Sequence, residues 1–139
     1  MIKPEVAIAI EVGVTRDVPT ARPDDAQEVL GGGPAIFLFN SSQQPNLKFV
    51  ALARETAKQK AIPLQDELVL EYGDDAAEIQ KSNGGVPTIT LAVPTRYTHG
   101  HNGIINRDDY ERTVDLILAL IQKLDAGTVK QLRDWAPGK

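Results

Sequence analysis

Apolar and polar positions alternate with period two over residues 6–14, placing Ile8, Ile10 and Val12 on one face and Ala7, Ala9, Glu11 and Gly13 on the other. That pattern predicts a buried strand. A second strand is predicted over 34–39 (PAIFLF), and a helix over 46–60 with Phe49, Leu52, Ala53 and Ala57 on one face. A third strand follows over 64–70. The stretch 74–81 (DDAAEIQK) reads as a short helix whose leading Asp accepts orphan amide hydrogens. Residues 87–93 (PTITLAV) form a fourth strand, followed by a loop holding His99 and His101. Asn106 then caps a long helix with the stripe Val114, Ile117, Leu118, Ile121 and Leu124, and a short helix is expected around 129–135.

Strands alternating with helices predict an α/β fold, a three-layer α/β/α domain with a mixed or largely parallel sheet. The connection between the first two strands, TRDVPTARPDDAQEVLGGG, is rich in Pro, Asp and Gly and reads as a long irregular loop. In open α/β sheets ligands gather beyond the carboxyl ends of strands. Asp74 and Asp75 after the third strand, and His99 and His101 after the fourth, stand in such positions.

With 139 residues the chain has room for one domain. Its 15 basic and 19 acidic residues form no basic stripe, which argues against a nucleic-acid partner. Cysteine is absent, so disulfides, thiolate nucleophiles and Cys-type metal sites are excluded. The opening MIKPEVAIAIEVGV carries Glu5 and Glu11 and reads neither as a signal peptide nor as a membrane span, so the cytoplasm is the expected location.

Glu11 is a charge inside AIAIEVGV, where it must be wet, paired or bound to a cation. An edge strand or a salt bridge would explain it, and so would a metal-binding or acidic catalytic carboxylate. Asp17, six residues on, can orient a neighbouring ligand or cap a turn. His99 and His101 share a side if the chain is extended there, whereas in a loop the spacing fixes little. Arg96 and Tyr97 can bind a carboxylate or stabilise an oxyanion, and Arg96 can equally pair with Asp108 or Asp109. The Gly31–Gly33 run is no phosphate loop, because it lacks the following GK[ST] and leads into a strand. No serine lies in a strand-turn-helix elbow.

Four segments in order resemble the M42 family of metallo-aminopeptidases: AIAIEVGVTRDVP, LGGGPAIFLFNSS, YGDDAAEIQ and VPTRYTHGHNGIINRDDYE. The third is similar to the family's Gly-Gly-Thr-Asp-Ala segment and the fourth to its Pro-Thr-Arg-Tyr-x-His run. The resemblance implies part of a zinc-peptidase catalytic domain over 1–126, with 127–139 its closing short helix and tail. It implies His99 as ligand to one metal of a pair and Glu11, in place of the family's Asp, as ligand to the other. Asp17 and His101 are weaker metal candidates, and Asp75, Arg96 and Tyr97 are supporting residues at the site or substrate contacts.

The family's remaining metal ligands, its general base and its inserted oligomerisation domain have no counterpart in this sequence. The resemblance therefore implies a fragment of a two-metal aminopeptidase that removes N-terminal residues from peptides with zinc or cobalt, inactive as this chain alone and possessing no bound metal of its own. Its expected partners are the peptide substrate in the complete enzyme, the missing amino-terminal half, or a second copy. The alternative is a truncated α/β module with a structural or protein-interaction role and no catalysis.

Overall fold

In the computed structural model, which describes residues 2–19, 21–22, 26–70 and 72–134, the hydrophobic alternation resolves into nine elements. They run β1 (Ala7–Val14), β2 (Ala35–Asn40), α1 (Leu47–Gln59), β3 (Gln65–Val69), α2 (Ala76–Ile79), β4 (Thr88–Arg96), β5 (Ile104–Ile105), α3 (Arg107–Lys123) and α4 (Ala126–Arg133). The sheet order is β1-β4-β2-β3, with β5 paired to β4. β1 and β4 are parallel, as are β2 and β3, while β4 meets β2 antiparallel at Ala35↔Ala92 and Ile36↔Leu91. The sheet is therefore mixed.

One face of this sheet carries the main core. Ile36, Ile89 and Leu91 pack against Phe49, Val50, Ala53 and Ala57 of α1, Leu116 and Leu120 of α3, and Leu132 of α4. On the opposite face Ala35, Phe37 and Ala92 meet Tyr72, whose ring stands edge-on to Phe37 at 5.2 Å. There α2 packs against β1 and β4, completing a three-layer α/β/α fold with a thin third layer. Side chains close three helix starts: Asn46 accepts from the Phe49 N–H, Asn106 from Asp108 and Asp125 from Thr128.

Several expectations shift. β4 runs on to Arg96 instead of ending at residue 93, because Thr95 and Arg96 gain the two-residue partner β5. Asp75 precedes α2 but makes no capping bond; its own backbone is already helical, which turns its carboxyl away from the amides ahead. In α3 the buried face is Asp109, Thr113, Leu116, Ala119 and Leu120, whereas Val114, Leu118 and Ile121 are exposed. Ile10 and Val12 of β1 are likewise exposed, since α1 and α3 do not reach over the edge of the sheet. Of the expected last helix, Trp135 lies outside the described residues.

The connection from β1 to β2 is laid across the second face and carries an unusual layer of acids. Glu28, Glu67 and Asp109 are each 0% exposed. Asp109 accepts the N–H groups of Gly31 and Gly33 at 2.7 and 2.8 Å, so the start of α3 fastens the glycine turn. Glu67 accepts from the N–H groups of Gln27 and Glu28, both at 3.1 Å. The Glu28 carboxyl sits directly over Gly13, and neither of its oxygens has a hydrogen-bond partner among the described residues. Burial, then the Glu67 and Asp109 carboxylates, pushes Glu28 up to about 9, so it is protonated at neutral pH.

Candidate active site

Glu11 leaves the middle of β1 on the same face as Ala92, its register partner in β4. Ala9 and Gly13 flank it on that face and leave room for its side chain. Burial, then the nearby carboxylates of Asp74 and Asp75, raises Glu11 above the usual carboxylate range. The fold therefore brings Glu11 and Asp75 together, although 63 positions separate them in the sequence. A cation would relieve this crowding of like charge.

Asp74 is fixed from below, where its Oδ2 accepts from the Thr90 hydroxyl at 2.7 Å and from the Asn40 amide at 3.2 Å. Gln43 extends the network, accepting from Thr90 at 2.9 Å. Tyr72 closes the site on the β1 side by donating its hydroxyl to the Val12 carbonyl at 2.9 Å. Burial, with Glu11, Asp74 and Glu28 nearby, pushes that hydroxyl up to about 12, so it stays a donor throughout the working pH range. Sequence reasoning missed Thr90, Asn40 and Tyr72 as supports of the acidic cluster, because nothing local in the chain marks which face of a strand a distant loop will cover.

At the carboxyl end of β4 the chain turns sharply. Tyr97 and His99 both adopt left-handed backbone, with φ of 62° and 61°, and the Gly100 N–H closes a turn onto the Tyr97 carbonyl at 3.3 Å. Side chains at such positions cost about 1 kcal/mol each, which the surrounding contacts must offset. Two such contacts are visible. β5 pins Thr95 and Arg96 from one side, and Asp17 holds Arg96 from the other.

Arg96 donates its Nε to Asp17 Oδ2 at 3.0 Å and a terminal nitrogen to the same oxygen. That pairing holds the Asp17 carboxyl below its ordinary range. Arg96 thus pairs with Asp17 and not with Asp108 or Asp109. Asp17→Ala is expected to lower stability by about 1 kcal/mol, the pair being partly exposed, and to broaden the His99 ring resonances as its loop loosens. Unchanged resonances would show that β5 alone fixes the loop.

His99 and His101 are both exposed on this loop, and the turn at Tyr97–Gly100 removes the extended spacing that would set their rings on one side. Val14 pairs with Thr95, so Glu11 lies three strand residues, roughly 10 Å, before the point where the histidine loop leaves the sheet. Among the described residues no group of three or more His, Asp or Glu can hold a metal ion. One carboxylate backed by Asp74 and Asp75, plus one exposed imidazole, do not make a complete metal centre. They make two sides of an opening.

Also among the described residues, no helix is long and apolar enough to cross a membrane.

Comparison with known proteins places this opening in context. The family model described as M42 glutamyl aminopeptidase matches residues 1–116. The putative aminopeptidase FrvX of Escherichia coli (strain K12) is 34% identical over 128 residues, covering 92% of this chain and 36% of FrvX. A TET aminopeptidase from the marine sediment archaeon Thaumarchaeota archaeon SCGC AB-539-E09 superposes with a TM-score of 0.90 at 34% identity, over 93% of this chain and 36% of that one. The Pyrococcus horikoshii TET1 peptidase, which can assemble into a tetrahedron or a large octahedral shell, gives a TM-score of 0.72 at 26% identity, over 84% and 33%. The chain spans about a third of the length of these relatives. A match through β1, the acidic cluster and the histidine loop in one order and one fold has a single consequence: the chain belongs to the M42 glutamyl aminopeptidase family.

Proposed function

We propose that this chain is the part of a cytoplasmic M42 aminopeptidase that supplies Glu11 to one metal ion and His99 to the other, within an enzyme that removes N-terminal residues from peptides. The observation that carries this reading is the crowding of Glu11 by Asp74 and Asp75 on the face leading up to the His99 loop. Such a carboxylate gains most from a divalent cation, and zinc or cobalt suits a carboxylate and imidazole set. When bound, the metal pair would supply an activated water.

The residues of this chain have narrower tasks. Glu11 and His99 present one ligand each. Asp75 adds negative charge beside Glu11, Asp17 orients Arg96, and Arg96 and Tyr97 border the substrate's approach, with His101 next to them. The other ligands and the general base come from the part of the fold this chain does not contain, so alone it is inactive. Assembly of the complete enzyme into a larger oligomer accords with the shells described for the TET1 relative.

The test is a zinc titration followed by NMR, alongside hydrolysis of an aminoacyl p-nitroanilide. Zinc should shift the His99 ring and Glu11 carboxyl signals weakly in the isolated chain, with no hydrolysis. Zinc that leaves both signals unmoved defeats the reading. A second reading, an interaction module without catalysis, is favoured by the uncovered apolar surface of β1 and α3. Under it, His99→Ala leaves every association of the chain unchanged and zinc has no effect.

A further inference from the structure

The most apolar stripe of α3 does not face the core. With Asp109, Thr113, Leu116 and Leu120 turned inward, helical geometry sets Tyr110, Val114 and Ile121 on one flank. The other flank, around Asp115, Ala119 and Gln122, borders Lys60 and Ile62 just after α1. Since α1 and α3 lie side by side and α3 packs on β4, the apolar flank overhangs the β1 side of the sheet. There the helix-side residues of β1 after Ile8 are also bare: Ile10 is 61% and Val12 44% exposed, beside Tyr110, Val114 and Ile121 at 47–57%. A soluble fold leaves so long an apolar strip on a strand and a helix together when something else covers it.

The strand edge beside this strip is open too. The Ala7 N–H bonds the Pro87 carbonyl and the Thr15 N–H the Thr95 carbonyl, so odd-numbered residues of β1 turn their peptide groups to β4. Ile8, Ile10 and Val12 therefore turn theirs outward. Tyr72 closes the edge at the Val12 carbonyl, and no described strand pairs with Ile8 and Ile10. Unpaired peptide groups next to exposed apolar side chains form a template for an added strand with its own apolar cover.

We propose that this surface, the outer edge of β1 at Ile8–Ile10 together with Ile10, Val12, Tyr110, Val114 and Ile121, seats the complementary part of an M42 catalytic domain. That part adds a strand to β1 and lays an apolar element between β1 and α3. The relatives identify the occupant: at a TM-score of 0.90 the same fold accounts for 36% of the archaeal chain, which leaves a partner body of nearly twice this size. The inference rests on the family reading above, but it needs no catalysis.

The probe is the FrvX relative truncated before the third that this chain matches. Mixed with this chain, it should give a 1:1 complex in size exclusion with light scattering and slow hydrogen exchange at the Ile8 and Ile10 amides at least tenfold. Ile10→Asp combined with Val114→Asp should weaken the complex at least a hundredfold. Leu47→Asp, at a residue 77% exposed on α1, should leave it intact. Both sites are exposed, so the variants fold, and circular dichroism of each alone checks that.

Absence of a complex, equal weakening by Leu47→Asp, or a homodimer through β1 that the probe does not displace would each overturn the proposal. A complex without peptidase activity keeps the surface and removes the catalytic reading. Activity insensitive to Ile10→Asp with Val114→Asp does the reverse.

Discussion

Glu28→Gln is expected to raise the melting temperature at pH 8 by roughly 5–10 °C and to flatten the dependence of stability on pH. The Glu28 carboxyl is fully buried over Gly13, with no hydrogen-bond partner for either oxygen among the described residues, and lies at about 9 in the folded chain against an ordinary 4.5. An acid whose folded value is raised binds its proton more tightly folded than unfolded. Its contribution is complete below pH 4.5 and is lost as pH rises towards 9, at about 1.4 kcal/mol per unit across that window. Between pH 4.5 and 7 the loss is roughly 3 kcal/mol.

Glu67, pushed up to about 7 by burial, adds a second loss with the same sign between pH 4.5 and 7. Glutamine carries no proton to lose, and its amide can donate to the Glu67 Oε1 that lacks a partner. Thermal melts from pH 5 to 9 on both proteins decide the matter. A wild-type curve flat over that range, matched by the variant, would show that Glu28 is not held as a buried neutral acid.

Gly33→Ala should be the most damaging single-methyl change in the chain, costing at least 3–4 kcal/mol by urea denaturation. Gly33 has φ of 89°, and a Cβ there would lie inside contact distance of the Pro63 carbonyl oxygen, which is backbone and cannot rotate away. Its N–H also anchors the glycine turn to Asp109, so any shift of Gly33 disturbs a buried carboxylate as well. Gly84→Ala separates the two causes. Gly84 has φ of 76° with nothing within 4 Å of the added methyl, so its cost is the left-handed backbone alone, about 1 kcal/mol. Similar losses at the two positions would mean that the segment around Pro63 yields.

The fold was readable where burial follows a simple period. β1, β2, α1 and β3 lie within a residue or two of their expected spans, because each has one apolar face and turn residues at both ends. α3 misled for a physical reason. It carries two apolar flanks, and the richer one, Val114–Leu118–Ile121, is not the one that meets the core, which is lined instead by Thr113, Ala119 and a buried aspartate. Sequence periodicity reports that a face is apolar, not which neighbour covers it. The acidic cluster was legible as single residues, but not as a cluster. Glu11 with Asp74, and Glu28 with Glu67, meet across 39 to 63 positions, through a sheet order that no local pattern encodes.

That sheet order also governs how the chain comes together during synthesis. The strand made last of the four long ones, β4, is inserted between the first, β1, and the second, β2. Residues 7–14 have no neighbour to bond with until residues 88–95 have left the ribosome, about 80 positions later. β2 and β3 can pair earlier through the short α1 crossover, so a nascent half-sheet forms while β1 waits as an extended, isoleucine-bearing strand. Parallel pairing at such separation is slow to nucleate and leaves sticky intermediates. Translation speed and chaperone access over the stretch from β1 to β4 therefore bear more on the yield of native protein than the final stability does.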